Sequence, residues 1–192
     1  LVYSVKEQAD LKTAYEFGGG LGLNEQFDIS PKRLDGKTGP LVFKSSNGFG
    51  YCAKGKVGGS KQGQAIIALR GTVTANDWLT DLNAGLQRSP YQGTAVHAGF
   101  NDTYNSFAND IGSFLDDCKQ SNIKQVHCIG HSLGGALATI SAGVVRQQGF
   151  GVKLYTFGCP RVGGSAFTSL LTSDVGPENI YRVHFKSDPV SM

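Results

Sequence analysis

Short continuous apolar runs alternate along this chain with longer stretches of helical periodicity. Ala65-Ile66-Ile67-Ala68-Leu69 is a run of the kind a strand covered on both faces shows, and Gln125–Ile129, Val152–Phe157 and Ile180–Phe185 also read as strands. Between them, Asn76 to Leu86 places Trp78, Leu79, Leu82 and Leu86 on one helical face, with Asp77 and Asp81 away from it. Asn101 to Gln120 predicts a second helix with Tyr104, Phe107, Ile111, Phe114 and Leu115 as its inner stripe. Leu133 to Gln148 predicts a third, and Phe167 to Leu171 a short fourth. Strands alternating with helices predict an α/β fold, its central sheet mostly parallel from residue 64 onward and flanked by helices. Upstream, Val2, Val5, Ala9, Leu11, Ala14, Tyr15 and Phe17 predict an amphipathic helix stopped by Gly18-Gly19-Gly20. Residues 21–40 read as an irregular connector. Asn47-Gly48, between Leu41-Val42-Phe43 and Phe49–Ala53, predicts the turn of a β-hairpin.

Composition narrows the classes. A chain of 192 residues suits one domain with a well-buried core, and 40% hydrophobic with 17% charged residues is a globular balance. A formal net charge of +3 without clustered Lys or Arg argues against a nucleic-acid partner. Residues 128–145 lack Asp, Glu, Lys and Arg, yet their four Gly, two Ser, Thr and His do not suit a bilayer span. Cys52, Cys118, Cys128 and Cys159 show neither C-x-x-C nor zinc spacing, so buried thiols are expected, with one or two disulfides the alternative in an exported protein. The chain starts at Leu1 without a signal-peptide pattern; its low charge and the triplet Asn101-Asp102-Thr103 favour export.

Candidate chemistry centres on Gly130-His131-Ser132-Leu133-Gly134, a G-x-S-x-G pattern. With 27 Gly in the chain, such a pattern arises by chance about 0.3 times, so its context decides. Here it joins a strand-like run to a helix-like run, the setting of a nucleophile elbow. A serine alcohol needs a base, the base needs an orienting partner, and the tetrahedral intermediate needs donors already in place. In an open α/β sheet these groups collect at the C-terminal strand ends. Ser132, Thr72 and Asp188 each follow a different predicted strand. Ser132 is the expected nucleophile, against the plainer reading of a helix N-cap serine. The backbone N–H groups of Leu133 and Thr72 are the expected oxyanion donors.

Six blocks carry a resemblance to a known family. They are Ala68-Leu69-Arg70-Gly71-Thr72, Asp77-Trp78-Leu79-Thr80-Asp81-Leu82, Val96-His97-Ala98-Gly99-Phe100, Gly130 to Ala138, Thr156 to Gly163, and Tyr181-Arg182-Val183 through Asp188-Pro189-Val190. In that order and spacing the chain resembles the class 3 (fungal-type) lipases of the α/β-hydrolase fold, which include triacylglycerol lipases, feruloyl esterases and phospholipases A1. The resemblance implies Ser132 as nucleophile, Asp188 as triad carboxylate, Thr72 and Leu133 as oxyanion hole, and neither cofactor nor metal. It also implies a lid over Val73 to Leu86, whose Trp78/Leu79/Leu82/Leu86 face covers the site or meets lipid; a permanently packed surface helix is the alternative.

One departure stands out. The family's catalytic histidine follows the Asp, whereas here the chain stops at Met192 and His97, His127, His131 and His184 all come earlier. The expectation is therefore a single α/β-hydrolase domain over residues 1–192, lacking the C-terminal part with the histidine. A longer chain or a second chain would supply that base, and these residues alone would hydrolyse esters slowly or not at all. The expected activity is carboxylester hydrolysis of lipid or aryl esters through an acyl-enzyme, by a secreted protein with transient lipid-interface contact. A phospholipase A1 effector with an inhibitory protein partner is one alternative and a feruloyl-type esterase another. A non-catalytic, hydrolase-like binding module is the third.

Overall fold

The computed structural model describes residues 23–30, 33–38, 45–71 and 85–184. The helix expected over Val2–Phe17 and the run Leu41–Phe43 lie outside these residues, as do Thr72, Trp78, Leu79, Leu82 and Asp188.

Strands β1 (Phe27–Ile29), β2 (Leu34–Thr38), β3 (Ser45–Gly55), β4 (Gln64–Leu69), β7 (Gln125–His131), β8 (Gly151–Phe157) and β9 (Ile180–Val183) make one seven-stranded sheet. Its order is β1-β3-β4-β7-β8-β9, with β2 also on β3. β4, β7, β8 and β9 are parallel, and β1 to β3 form an antiparallel flank. A separate antiparallel pair joins β5 (Leu86–Arg88) to β6 (Ala95–His97). Among the described residues the α-helices are α1 (Leu23–Gln26), α2 (Ala98–Asn105), α3 (Ala108–Gln120), α4 (Leu133–Gln147) and α5 (Ser165–Val175).

The apolar run of β4 has the predicted cause. Ala65, Ile67 and Leu69 belong to the large core cluster beneath the helices, while Ile66 and Ala68 belong to a second cluster with Phe27, Tyr51 and Ala53. Both faces of the strand are covered, so no polar position is needed. β7 alternates instead: Val126, Cys128 and Gly130 are buried, and His127, Ile129 and His131 occupy the less covered face. α4 is buried almost all round, and its Thr139 and Ser141 hydroxyls donate back to Gly135 O at 2.7 Å and Leu137 O at 2.8 Å. Those bonds let polar side chains sit in the core without an unpaired group. Residues 128–145, free of charge, are thus half of β7 and most of α4; no helix among the described residues is long and apolar enough to cross a membrane.

Three sequence expectations need correction. Asn47-Gly48 is no hairpin turn: β3 runs straight through it, pairing Asn47 with Gly36 and Gly48 with Asp35. The register jumps from Leu34↔Gly50 to Asp35↔Gly48, so Phe49 is left over in a bulge, buried and stacked on Phe107 at 5.9 Å. A bulge, like a turn, favours glycine, which is why the local signal misled. Residues 21–40 are not wholly irregular, since α1, β1 and β2 lie there. The single helix expected over Asn101–Gln120 is two, α2 and α3, broken at Ser106-Phe107. Ser106 Oγ donates to Thr103 O at 2.6 Å and accepts from Lys37 N at 2.8 Å, tying the break to β2. The predicted stripe survives because Tyr104, Phe107, Ile111, Phe114 and Leu115 all enter the core.

All four cysteines are free, buried thiols, so the disulfide alternative does not apply. Burial pushes the Cys118 and Cys128 thiols up to about 12 and Cys159 to about 11, from an ordinary value of 9.0. The folded protein thus keeps thiol protons that the unfolded chain releases above pH 9.0. This contribution is fully present below that pH and is lost as pH rises towards 11 and beyond. The thermal midpoint is expected to fall steadily from pH 9 to 11, measured by circular dichroism; a flat midpoint there would contradict it.

Candidate active site

The elbow is built where β7, in the middle of the sheet, hands over to α4. Ser132 is the N-cap of α4 with φ 54° and ψ −125°, one of three non-glycine residues with positive φ among the described residues. Such a conformation costs a residue with a Cβ about 1–3 kcal/mol and persists only where its surroundings enforce it. They do so from both sides. Ser132 N–H donates to Phe157 O at 2.9 Å, the last residue of β8, and Gly135 N–H donates to Ser132 O at 2.8 Å to start the helix.

The two motif glycines follow from this crowding. A Cβ on Gly130 would run into the Gly134 carbonyl, and one on Gly134 would overlap Leu69 O and approach Arg70 O to 2.6 Å. The first turn of α4 therefore rests directly on the backbone at the end of β4. Thr72 follows that strand end by three residues in sequence.

Ser132 makes no side-chain capping bond to α4. A serine placed there for helix stability would spend its Oγ on the N2 or N3 amide; this one does not. The Leu133 N–H lies in the first helical turn, where amides have no intrahelical acceptor and the helix dipole favours negative charge. Leu133 itself is buried in the main core, which holds that turn in place.

Arg70 was not singled out from the sequence, although a lone charge closing an apolar strand was a usable signal. It is 2% exposed. Its Nε donates to Gly48 O at 2.5 Å and its Nη1 to Gly71 O at 2.6 Å, with the guanidinium 5.5 Å above the Phe49 ring. One buried cation thereby binds the β3 bulge to the residue preceding Thr72. Arg70→Met removes both donors and leaves two carbonyls buried, so a loss of about 3 kcal/mol is expected in urea unfolding. An unchanged midpoint would show that those carbonyls find other donors.

The remaining candidates fall in different places. Leu86 is not on a helix but opens β5, paired with His97 of β6, and is 58% exposed. Helical periodicity could not detect this, because the stripe's last member is also the first residue of a pairing strand. Among the histidines, His127 lies half-buried on β7, its Nε2 3.0 Å from Gln64 Oε1 and its ring stacked on Tyr155. Burial, aided by Lys153 and Lys61, lowers its pKa below the usual imidazole value. His97 is 9% exposed, tilted against Phe100, and neither ring nitrogen has a hydrogen-bond partner. His131 and His184 are exposed. No described contact brings His97, His127 or His184 to Ser132.

Comparison with known proteins agrees with the fold. Residues 66–192 match the family model for lipase (class 3). A secreted mono- and diacylglycerol lipase 1 of Fusarium solani is 36% identical over 129 residues, covering 66% of this chain and 38% of that protein. A phospholipase A1-II 4 of Oryza sativa subsp. japonica is 29% identical over 161 residues, covering 66% of this chain and 40% of that protein. The solved structure of a Rhizomucor miehei lipase in complex with its propeptide superposes with a TM-score of 0.65 at 29% identity, over 87% of this chain and 51% of that one. The chain thus spans about two fifths of the curated relatives' length. With an α/β-hydrolase sheet and a family match over most of its length, the chain belongs to the class 3 lipase family.

Proposed function

We propose that this chain carries the nucleophile half of a secreted serine carboxylester hydrolase acting on acylglycerols. The observation that carries the reading is Ser132, held at positive φ with its hydroxyl unspent on the helix it caps. Strain of that kind clusters at active sites, because it presents a reactive atom clear of its neighbours. The Fusarium relative's name, a secreted mono- and diacylglycerol lipase, supports both the substrate class and the extracellular setting.

In this reading Ser132 Oγ attacks the ester carbonyl while a histidine takes its proton, and Asp188 holds that imidazole in the right tautomer. The Leu133 and Thr72 N–H groups receive the oxyanion, each worth about 10² to 10³ in rate. The alcohol leaves, and water then releases the acid from the acyl-serine by the same route. Trp78, Leu79 and Leu82 act as the apolar covering that meets the lipid interface.

A phospholipase A1 is the second reading, favoured by the similarity to the rice protein. Assays of the complete protein on emulsified diacylglycerol, triacylglycerol and phosphatidylcholine decide between them. Preference for the acylglycerols is the expected result. Release of fatty acid from the phospholipid alone would install the second reading, and hydrolysis of none would remove both.

A further inference from the structure

Arg182 lies on β9 next to Thr156 of β8, outside the family's triad and oxyanion hole. Its Nη2 donates to Cys159 O at 2.6 Å, and one residue away Gly158 N–H donates to Val183 O at 2.8 Å. Together these bonds hold the loop that leaves β8, Gly158-Cys159-Pro160, to the outermost parallel strand. Gly158 has φ 53°, so the loop turns sharply there.

The same loop supports the elbow. Phe157 O, immediately before it, is the acceptor for Ser132 N–H. Cys159, wholly buried, presses on the first turn of α4 so closely that a Cβ on Gly135 would come within 2.8 Å of Cys159 Cβ. A continuous set of contacts therefore runs from β9 through Arg182 and Cys159 to Gly135 and Ser132. β9 is also the strand that leads to Asp188, five residues after Val183.

We propose that Arg182 is a positioning residue, which fixes the Ser132 elbow relative to the strand that delivers the triad carboxylate. This rests on the hydrolase reading above. A planar guanidinium beside the loop can satisfy a turn carbonyl in one fixed direction, which a lysine's point charge on a flexible stem does less well. A misplacement of about 1 Å between catalytic groups costs up to about 10²-fold in rate, so the effect belongs in turnover and not in substrate binding.

The test compares wild type, Arg182→Lys and Arg182→Met in the complete protein. Steady-state kinetics on a p-nitrophenyl ester give kcat and KM, and amide hydrogen exchange follows residues 130–136. Arg182→Met is expected to lose about 10- to 100-fold in kcat with KM within about twofold, and to exchange its elbow amides about tenfold faster. Arg182→Lys is expected to recover part of both. A lowered melting temperature with kcat and elbow exchange unchanged would overturn the proposal, as would a rise confined to KM. Inactivity of the wild type would count against the hydrolase reading instead, and faster elbow exchange in Arg182→Met would still support the positioning role while unchanged exchange would refute it.

Discussion

Ser132→Ala is expected to abolish ester hydrolysis by the complete protein, by about 10⁴- to 10⁶-fold in kcat, without unfolding it. Alanine keeps the Cβ, so the elbow stays as strained as before at φ 54°, and no capping bond is lost because none exists. Ser132→Gly makes a sharper companion. It removes the nucleophile as completely, but glycine tolerates positive φ freely. Its stability is expected to rise by about 1 kcal/mol, read from urea unfolding. Opposite signs on activity and stability at one residue are the mark of strain kept for function. A Ser132→Gly protein no more stable than Ser132→Ala would mean that the elbow stores little strain.

The second large effect concerns Gly134. A methyl group there meets backbone on the far side, the Leu69 carbonyl and Arg70, and backbone has no rotamer to move into. Gly134→Ala must therefore push α4 away from the end of β4. A loss of about 3 kcal/mol or more is expected, at the upper end for overpacking. The displacement also shifts the Leu133 amide and the Ser132 elbow relative to the end of β4, so activity is expected to fall further than stability alone explains. Gly112→Ala serves as the control, because a Cβ at that helical glycine meets nothing within 4 Å. It is expected to be neutral or mildly stabilising. Equal effects of the two substitutions would show that α4 does not depend on close contact with β4.

Hydrophobic pattern carried most of the fold because the parallel strands are covered on one or both faces. β4, β7 and β8 start within a residue of their expected bounds, and α4 within a residue of its expected end. What it could not carry were features decided by long-range pairing. Asn47-Gly48 looks like a turn locally and becomes a strand because Asp35 and Gly36 lie opposite it. Leu86 fits a helical stripe and becomes a strand residue because His97 lies opposite it. The break at Ser106-Phe107 depends on a hydroxyl that bonds Lys37, sixty-nine residues away in sequence. The hairpin β5–β6 went unforeseen for the same reason.

At the site, residue identity was more legible than residue support. Ser132 and Leu133 stand where the motif implies, on the turn between β7 and α4. Asp188, Thr72, Trp78, Leu79 and Leu82 fall outside the described residues. The charge of Arg70 at the end of an apolar strand was visible, but its partners and those of Arg182 were not, because each donates to a carbonyl remote in sequence, Gly48 of β3 in one case and Cys159 of the loop after β8 in the other. No local pattern encodes such a bond.

The central claim is that Ser132 is an activated nucleophile and not a helix-capping serine. Treating the complete protein with a fluorophosphonate and mapping the adduct by mass spectrometry tests it directly. The account predicts a stable phosphonyl adduct on the peptide containing Ser132, absent in Ser132→Ala. An unlabelled Ser132, or an adduct on another serine, would contradict it.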